Sequence, residues 1–567
     1  MANPGWRLTD VDQVAVLALA ASARISPLTA RILISRGFAD PDRVTRFFNP
    51  RLGELRRPDG MADLERALQR LERALRAPES IGVFGDYDVD GITSAAVLTL
   101  GLRGLAPSCN VIPRVASRDA GYGLPEAVVD RFAAEGCTVI VTGDCGTSDV
   151  PALVRARELG IDVIVIDHHQ VPSGPKLAYA MINPHQPEDQ FPFKGLASCG
   201  VAFYLVAALR TRLMATGFDP RELLDLVAMG TIADLVPLVE ENRILVAAGL
   251  RVLSARKRPG VRALMALAQL DQSTIAADDV SFRLTPRLNA AGRLGDAQLA
   301  LDLLLANDEV QATALAEQLD EVNKERQRIQ ERMWMEALAE AAACADAPAI
   351  VVGQAGWHHG VVGIIAARLV DKFARPVVVI GFDGEVGRGS ARTTAGLNLH
   401  DTLTACREHL TRYGGHAGAA GVSLAPKQLE GFRAAFLNEV GRRVGQRDEM
   451  VVMVDGVVDL GDVTLALAEE LERMAPFGMG NAAPVLALPG LTTTETRVVG
   501  QNHLQLGVES PGGRGQAIAF NMAERDPGPG AAIDLIAVAD LDVFRGTRRA
   551  RLRVKHLLRG AETAPIS

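Results

Sequence analysis

A chain of 567 residues is too long for one hydrophobic core, and about three or four domains are expected. Its 48% hydrophobic and 23% charged residues suit a globular protein, and no apolar run approaches the ~20 residues a membrane helix needs, so no membrane association is expected. A net charge of −8 excludes a global basic footprint for nucleic acid but not a local patch, and six cysteines without CxxC spacing argue against a zinc site or a disulfide framework.

The opening "MANPGWRLTDVDQ" has no apolar core that could act as a secretory signal, which with the cysteine usage points to a cytoplasmic location. Residues 1–79 carry no identifiable chemistry and are expected to form an N-terminal helical cap. From Ser80 the pattern alternates strand and helix: "IGVFGDYDVDG", "ITSAAVLTLGLRGL", "CTVIVTGDCGTS", "VPALVRARELG", "IDVIVID". Such alternation means βαβ units and a parallel sheet. Residues 196–305 read as mostly helical. The stretch 307–343 lacks Gly and Pro and is expected to be one connecting helix capped by Asn307 or Asp308, with Lys324, Arg326, Arg328 and Arg332 on its exposed sides. A second α/β unit follows, "APAIVVG", "GVVGIIAARLVDKF" and "RPVVVIGF". Beyond about residue 445 come short strands between Gly, Pro and Asn turns, the texture of a small barrel.

In open α/β sheets, ligands bind outside the carboxyl ends of the strands. The first of these ends delivers Asp86, Asp88 and Asp90 ("GDYDVDG"), the second Asp144 ("GDCG"), the third Asp167, His168 and His169 ("IDHHQ"). "VAMGTIADLVPL" adds Asp234. Each aspartate alone reads as a solvated or capping residue. Together they would repel and raise one another's pKa values unless divalent cations neutralise them. The D-x-D spacing of Asp88 and Asp90 turns both carboxylates to one face of an extended segment. Carboxylate and imidazole without thiolate favour Mn²⁺ or Mg²⁺, and two such ions about 3.5–4 Å apart clamp an in-line displacement at a phosphoester.

In this order, "DYDVDGITS", "DCG", "DHH" and "GTIADLVPL" resemble the DHH phosphoesterase superfamily. "RLNAAGR", "WHHGVVGIIAARL", "GRGSAR" and "GGHAGAAG" are similar to its RecJ branch and DHH-associated domain, and "PFGMGNAAPV" and "VFRGTRRARLRV" to the RecJ OB-fold. The resemblance covers the chain from about Ser80 to Leu558. It implies an α/β fold: a parallel-sheet DHH domain over 80–306, a connecting helix over 307–345, a smaller α/β DHH-associated domain over 346–445, and a C-terminal OB-fold β-barrel over 446–567 that binds single strands. The implied activity is a single-stranded-DNA-specific 5′→3′ exonuclease that releases 5′-mononucleotides with two Mn²⁺ or Mg²⁺ ions, in DNA repair and recombination. Carried over by motif, Asp88, Asp90, Asp144, His168 and Asp234 are metal ligands, with Asp86 beside them. Asp167 orients a histidine, and His169 serves in acid/base chemistry. Several relatives place a histidine four residues before the first Asp of D-x-D, where this chain has Phe84.

Arg287, Asn289, Arg293, Ser390 and Arg392 suit phosphate oxygens, and the resemblance assigns their neighbourhood to the 5′-phosphate. The competing reading of any one Arg is a domain-interface salt bridge. His416 among glycines is a phosphate contact or part of a tight turn. Tyr122 stacks on a base or packs, and Trp357 and His358 line the DNA channel or belong to the core. The basic stretch 544–560, seven Lys and Arg, supplies charge for single-strand binding or faces water. The implied partner is single-stranded DNA with a 5′ end, with a single-strand-binding protein and a helicase beside it and the enzyme a monomer. The alternatives are a DHH phosphoesterase of nanoRNA, cyclic dinucleotides or pyrophosphate, and a non-catalytic scaffold with a decayed DHH domain.

Overall fold

The computed structural model describes residues 5–118, 121–344, 347–394, 396–443, 451–500, 502–544 and 547–559. It divides into two compact units, one of Met1–Arg56, Leu235–Ala248 and Asp448–Ser567, the other of Arg57–Asp234 and Gly249–Arg447. The domain boundaries expected at 345/346 and 445/446 lie outside the described residues, as do Arg545, Gly546 and Gly560 of the basic stretch.

In the larger unit, five parallel strands run in the order Asn110–Val115, Ser80–Gly85, Cys137–Gly143, Asp162–Ile166, Ala180–Ile182. Val83, Val139, Val141, Ile164 and Ile166 are fully buried, as continuous apolar strands covered on both faces should be. The strand order reverses between Ser80–Gly85 and Cys137–Gly143, the place where an open sheet leaves a crevice at its carboxyl edge. This is the switch point at which open α/β sheets take ligands. The sheet hydrogen bonds continue one residue past each strand: Asp86 N donates to Gly143 O, Asp144 N to Ile166 O, and Asp167 N to Ile182 O. Three aspartates thus stand in one row along the sheet's carboxyl edge. Phe84 is fully buried in the core beneath them.

The same unit holds a second sheet in the order Arg412–Gly415, Ala419–Leu424, Val386–Arg392, Val377–Asp383, Ile350–Ala355, parallel only between the last two. Its two faces follow the period of two along a strand. Val351, Val378 and Ile380 pack with Phe432 and Phe436, whereas Ile350, Val352 and Val379 pack with Ile365 and with Met333 and Ala337 of the long helix. That helix, Glu309–Ala343, is capped by Asp308. One expectation for it fails. Arg326 is not on an exposed side but is buried, donating to Asn323 Oδ1 (2.7 Å) and Gln330 Oε1 (2.6 Å). The buried face of the helix carries Ala312, Ala316, Leu319, Asp320 and Asn323 beside Arg326, so small and polar residues share it with apolar ones.

In the smaller unit, strands Leu486–Val499, His503–Ser510, Gly513–Ala519, Thr547–Arg559 and Ala532–Phe544 close into a five-stranded barrel through the pairing of the first with the last. The N-terminal residues do not form a cap of their own. Gly5–Leu8 pairs in parallel with Val451–Val454, and Val16, Ile32, Leu33 and Phe47 share one core with Leu488, Leu504 and Leu535 of the barrel. Helix Leu64–Arg76, also within the expected cap, belongs to the larger unit, where Arg70 is tied to Glu79 and Asp162. Apolar helix faces this short cannot bury themselves, so each joins the nearest sheet. Leu33→Ala is therefore expected to destabilise the barrel by about 2–5 kcal/mol, read as an earlier urea midpoint for that unit.

The arginines of the basic stretch are largely matched by acids. Arg549 and Arg551 pair with Asp542, Arg551 and Arg553 approach Asp540, and Arg548 meets Glu469. Strand pairing sets this, because Asp540 and Asp542 lie opposite Arg551 and Arg549 in register.

Candidate metal centre

Four chain segments deliver the polar side chains of the crevice. Asp88 caps helix Val89–Leu105, its Oδ1 accepting from Gly91 N (3.1 Å), so that Asp90 sits in the first turn. The loop folds tightly enough that a Cβ on Gly91 would lie 2.5 Å from the backbone of Asp86. Asp144 follows its strand with φ +64°, the left-handed region that a non-glycine residue enters at a cost, and Asp tolerates it better than most. Asp234 closes the C-terminus of helix Leu224–Ala233, where the backbone dipole opposes a carboxylate and calls for a cation. Gly230 lets that helix come close: a Cβ there would meet Cys199 Sγ at 2.6 Å and Asp90 Oδ1 at 3.0 Å.

The ligand atoms gather into three groups, each within 4.8 Å: Asp90, His168 and Asp234; Asp86, Asp88 and Asp144; Asp144, His168 and His169. His168 Nε2 is 3.3 Å from Asp144 Oδ1 and 3.4 Å from Asp234 Oδ2. Ligands about 2.1 Å from one ion and at right angles to each other stand about 3 Å apart, so these spacings suit shared coordination. Asp86 Oδ1, His168 Nε2 and Asp234 Oδ2 are buried and have no hydrogen-bond partner among the described residues. Buried acceptors are rarely left so, and a divalent cation would satisfy all three. The donor set therefore fits Mn²⁺ or Mg²⁺.

Electrostatics agree. Burial, then Asp88, pushes Asp86 up to about 8; burial, then Asp90 and Asp88, does the same to Asp234. Burial, then Asp88, Asp90, Asp167 and Asp234, pushes Asp144 well above the carboxylate range. Burial also lowers His168, leaving a neutral imidazole. Asp167 behaves in the opposite way. Burial works to raise it, but the His169 ring and Thr147 prevail and hold it at about 2. Its Oδ1 accepts from His169 Nδ1 (2.8 Å) and from His168 N (2.7 Å). For His169, burial is outweighed by Asp167, then Asp234 and Asp88, and the ring rises to about 9.

A pH effect on stability follows. Asp86 and Asp234, with folded pKa values raised from about 4 to about 8, contribute stability that is full below pH 4 and lost as the pH rises through 8. Mn²⁺ removes that penalty. Its addition is expected to raise the melting temperature more at pH 8 than at pH 5.5, which differential scanning fluorimetry would read.

Some sequence candidates lie near this centre and others do not. Tyr122 places its hydroxyl 3.0 Å from His169 Nδ1 and 3.0 Å from Asp144 O, with half of the residue exposed. Arg293 donates to Gly360 O (2.9 Å), and Arg392 to Ser390 Oγ (2.6 Å) and Ala391 O (2.8 Å). Asn289 lies one turn before Arg293 on the same helix. Burial, then Arg118, Arg326 and Arg392 nearby, holds Arg293 down to about 10. Sequence reasoning missed Arg118, whose guanidinium lies 4.2 Å from the centre of the Tyr87 ring and donates to Gly292 O (2.6 Å). Tyr87 stands between Asp86 and Asp88, so the guanidinium cluster adjoins the D-x-D loop. Among the described residues, none of Arg118, Arg293, Arg326 and Arg392 is in an ion pair, which leaves a half-buried positive cluster suited to a phosphate.

Other candidates are occupied elsewhere. Arg287 is held by Asp320 Oδ1 (2.9 Å) and Arg283 O (2.6 Å), the salt-bridge reading. Trp357 is buried and donates to Glu336 Oε2 (2.6 Å), so it is core and lines no channel. His358 caps helix His359–Phe373, and its Nδ1 accepts from Gly360 N (3.0 Å). His416 is exposed in the turn between Arg412–Gly415 and Ala419–Leu424.

Comparison with known proteins joins these features. The DHH family N-terminal domain matches residues 80–231, the DHHA1 domain 346–442, and the RecJ OB domain 454–556. The chain is 39% identical to the single-stranded-DNA-specific exonuclease RecJ of Dickeya dadantii, over 88% of this chain and 90% of that one. Among solved structures, RecJ of Thermus thermophilus in complex with Mn²⁺ superposes with a TM-score of 0.84 at 29% identity, covering 99% of this chain and 80% of that one. The Mg²⁺ complex of the same protein superposes with a TM-score of 0.79 at 28% identity, covering 99% and 79%.

Proposed function

The chain belongs to the RecJ family of single-stranded-DNA-specific exonucleases, and from that premise we propose that its crevice cleaves single-stranded DNA stepwise from the 5′ end, releasing 5′-mononucleotides. It is a metal-dependent exonuclease whose cofactor is Mn²⁺ or Mg²⁺. The observation that carries the assignment is that the buried Asp86 Oδ1, His168 Nε2 and Asp234 Oδ2 have no hydrogen-bond partner among the described residues, inside the cluster of five aspartates and two histidines.

Asp90, His168 and Asp234 would hold one ion, and Asp86, Asp88 and Asp144 the other, with His168 Nε2 and Asp144 Oδ1 3.3 Å apart. When bound, the ions polarise the scissile phosphate and make water nucleophilic at neutral pH. The remaining work falls to the chain. Arg118, Arg293, Arg392, Ser390 and Asn289 take the terminal 5′-phosphate and fix which phosphodiester reaches the carboxylates. Asp167 holds Nδ1 of His169 in its protonated form, and the charged ring donates a proton to the departing 3′-oxygen. Breaking that P–O3′ bond frees one 5′-mononucleotide and leaves a new 5′-phosphate on the shortened strand, ready for the same arginines. Tyr122 keeps the His169 ring facing the crevice.

Family membership extends the proposal to DNA repair and recombination in the cytoplasm, with the enzyme a monomer working beside a helicase and a single-strand-binding protein. No single helix among the described residues is long and apolar enough to cross a membrane. The test is digestion of a 5′-phosphorylated single strand with Mn²⁺, set beside the blunt duplex and a linear dinucleotide. Mononucleotides from the single strand, with the duplex intact, are expected. Hydrolysis of the dinucleotide alone would contradict the reading.

A further inference from the structure

Helix Ser198–Leu213 begins without a local cap: its N-cap residue is Ala197, whose side chain accepts no hydrogen bond. An alanine there leaves the first amides without an acceptor, which ordinarily costs about 1 kcal/mol. The acceptor comes from a distant segment. Asp90 Oδ2 accepts from Ser198 N (2.7 Å), and Asp90 Oδ1 from Cys199 N (3.0 Å). The Ser198 side chain turns the other way and donates from Oγ to Asp144 Oδ1 (3.0 Å). Ser198 and Cys199 are fully buried, so no water competes for these bonds.

One residue therefore grips both carboxylate groups of the centre, through two different kinds of bond. Asp90 belongs to the group with His168 and Asp234, and Asp144 to the group with Asp86 and Asp88. We propose that Ser198 is the positioning residue that sets the spacing between the two ion sites, its amide fixing Asp90 and its hydroxyl fixing Asp144. The inference rests on the two-ion reading above. It assigns the hydroxyl to one site only. Asp144 enters an unfavourable left-handed conformation, and the Ser198 bond aims the carboxylate that this backbone delivers. Asp90 keeps its amide bonds whatever the side chain at 198.

The physical consequence is asymmetric. Residues that orient a ligand typically govern metal affinity by about 10–100-fold. In Ser198→Ala the affinity of the Asp86–Asp88–Asp144 site for Mn²⁺ should fall by about that factor, while the Asp90–His168–Asp234 site stays within about threefold of the wild type. Ser198→Thr, which keeps the hydroxyl, should restore the lost affinity. The measurement is Mn²⁺ titration of the full chain, followed by the electron paramagnetic resonance signal of free Mn²⁺, with the metal-free melting temperature recorded for each variant. Two unchanged affinities in Ser198→Ala, an equal fall at both sites, or no recovery in a folded Ser198→Thr would overturn the assignment. If Ser198→Ala does not fold, Ser198→Thr decides: wild-type affinity at both sites supports the role, and loss at both contradicts it. A wild-type chain that takes up fewer than two Mn²⁺ ions would overturn the two-ion reading itself, and this inference with it.

Discussion

Asp144→Ala should lower the turnover of single-stranded DNA by about 10³-fold or more, on the order of 4 kcal/mol of transition-state stabilisation. Asp144 is the carboxylate that appears both with Asp86 and Asp88 and with the two histidines, and it accepts from Ser198 Oγ. Without it the ion proposed beside Asp86 and Asp88 would lose a ligand, and His168 would lose a neighbour 3.3 Å from its Nε2. The fold should survive. Asp144 is a buried carboxyl whose ionised form is disfavoured by burial, then by Asp88, Asp90, Asp167 and Asp234, so its replacement removes a group that the metal-free chain holds at a cost. Single-strand binding measured by fluorescence anisotropy should stay near the wild-type value while Mn²⁺-dependent cleavage disappears. Near-normal turnover would show that Asp144 holds no essential ion.

The second large effect is expected at the guanidinium cluster. Arg392→Ala should reduce kcat/KM on a 5′-phosphorylated strand by about 10–100-fold, the range for losing a hydrogen-bonded charge contact. On a strand with a 5′-hydroxyl the same substitution should change little, because the wild type has no terminal phosphate to grip. Arg118→Ala adds a second consequence. Its guanidinium packs on Tyr87 between two metal-motif aspartates, so the variant should also weaken Mn²⁺ binding. An equal loss on both strands for Arg392→Ala would remove the cluster from terminal recognition.

How much of this could be read in the sequence depends on the range of the interaction. Asp86, Asp144 and Asp167 each end an apolar strand, and the parallel order that sets them in a row follows from strand–helix alternation. The bonds from His169 to Asp167 follow from local geometry, since Asp167 reaches the ring and amide of a residue two positions on. Ser198 carried no signal of its own. Its partners, Asp90 and Asp144, come from distant segments. Arg118 was passed over because its surroundings, Gly292 and Tyr87, come from other segments, whereas Arg326, expected on an exposed side, is buried against Asn323 and Gln330 of its own helix. Arg287 and Trp357 misled for the converse reason. Their types suited DNA, but Asp320 and Glu336, invisible as neighbours in sequence, already satisfy them. The N-terminal helices had a legible apolar face and no legible partner, because the barrel that buries it comes from the far end of the chain.

The most direct test is anomalous diffraction at the manganese edge from crystals of the full chain grown with Mn²⁺. Two peaks are predicted inside the crevice, one bounded by Asp90, His168 and Asp234 and the other by Asp86, Asp88 and Asp144. No manganese there, or a single ion away from Asp144, would contradict the account.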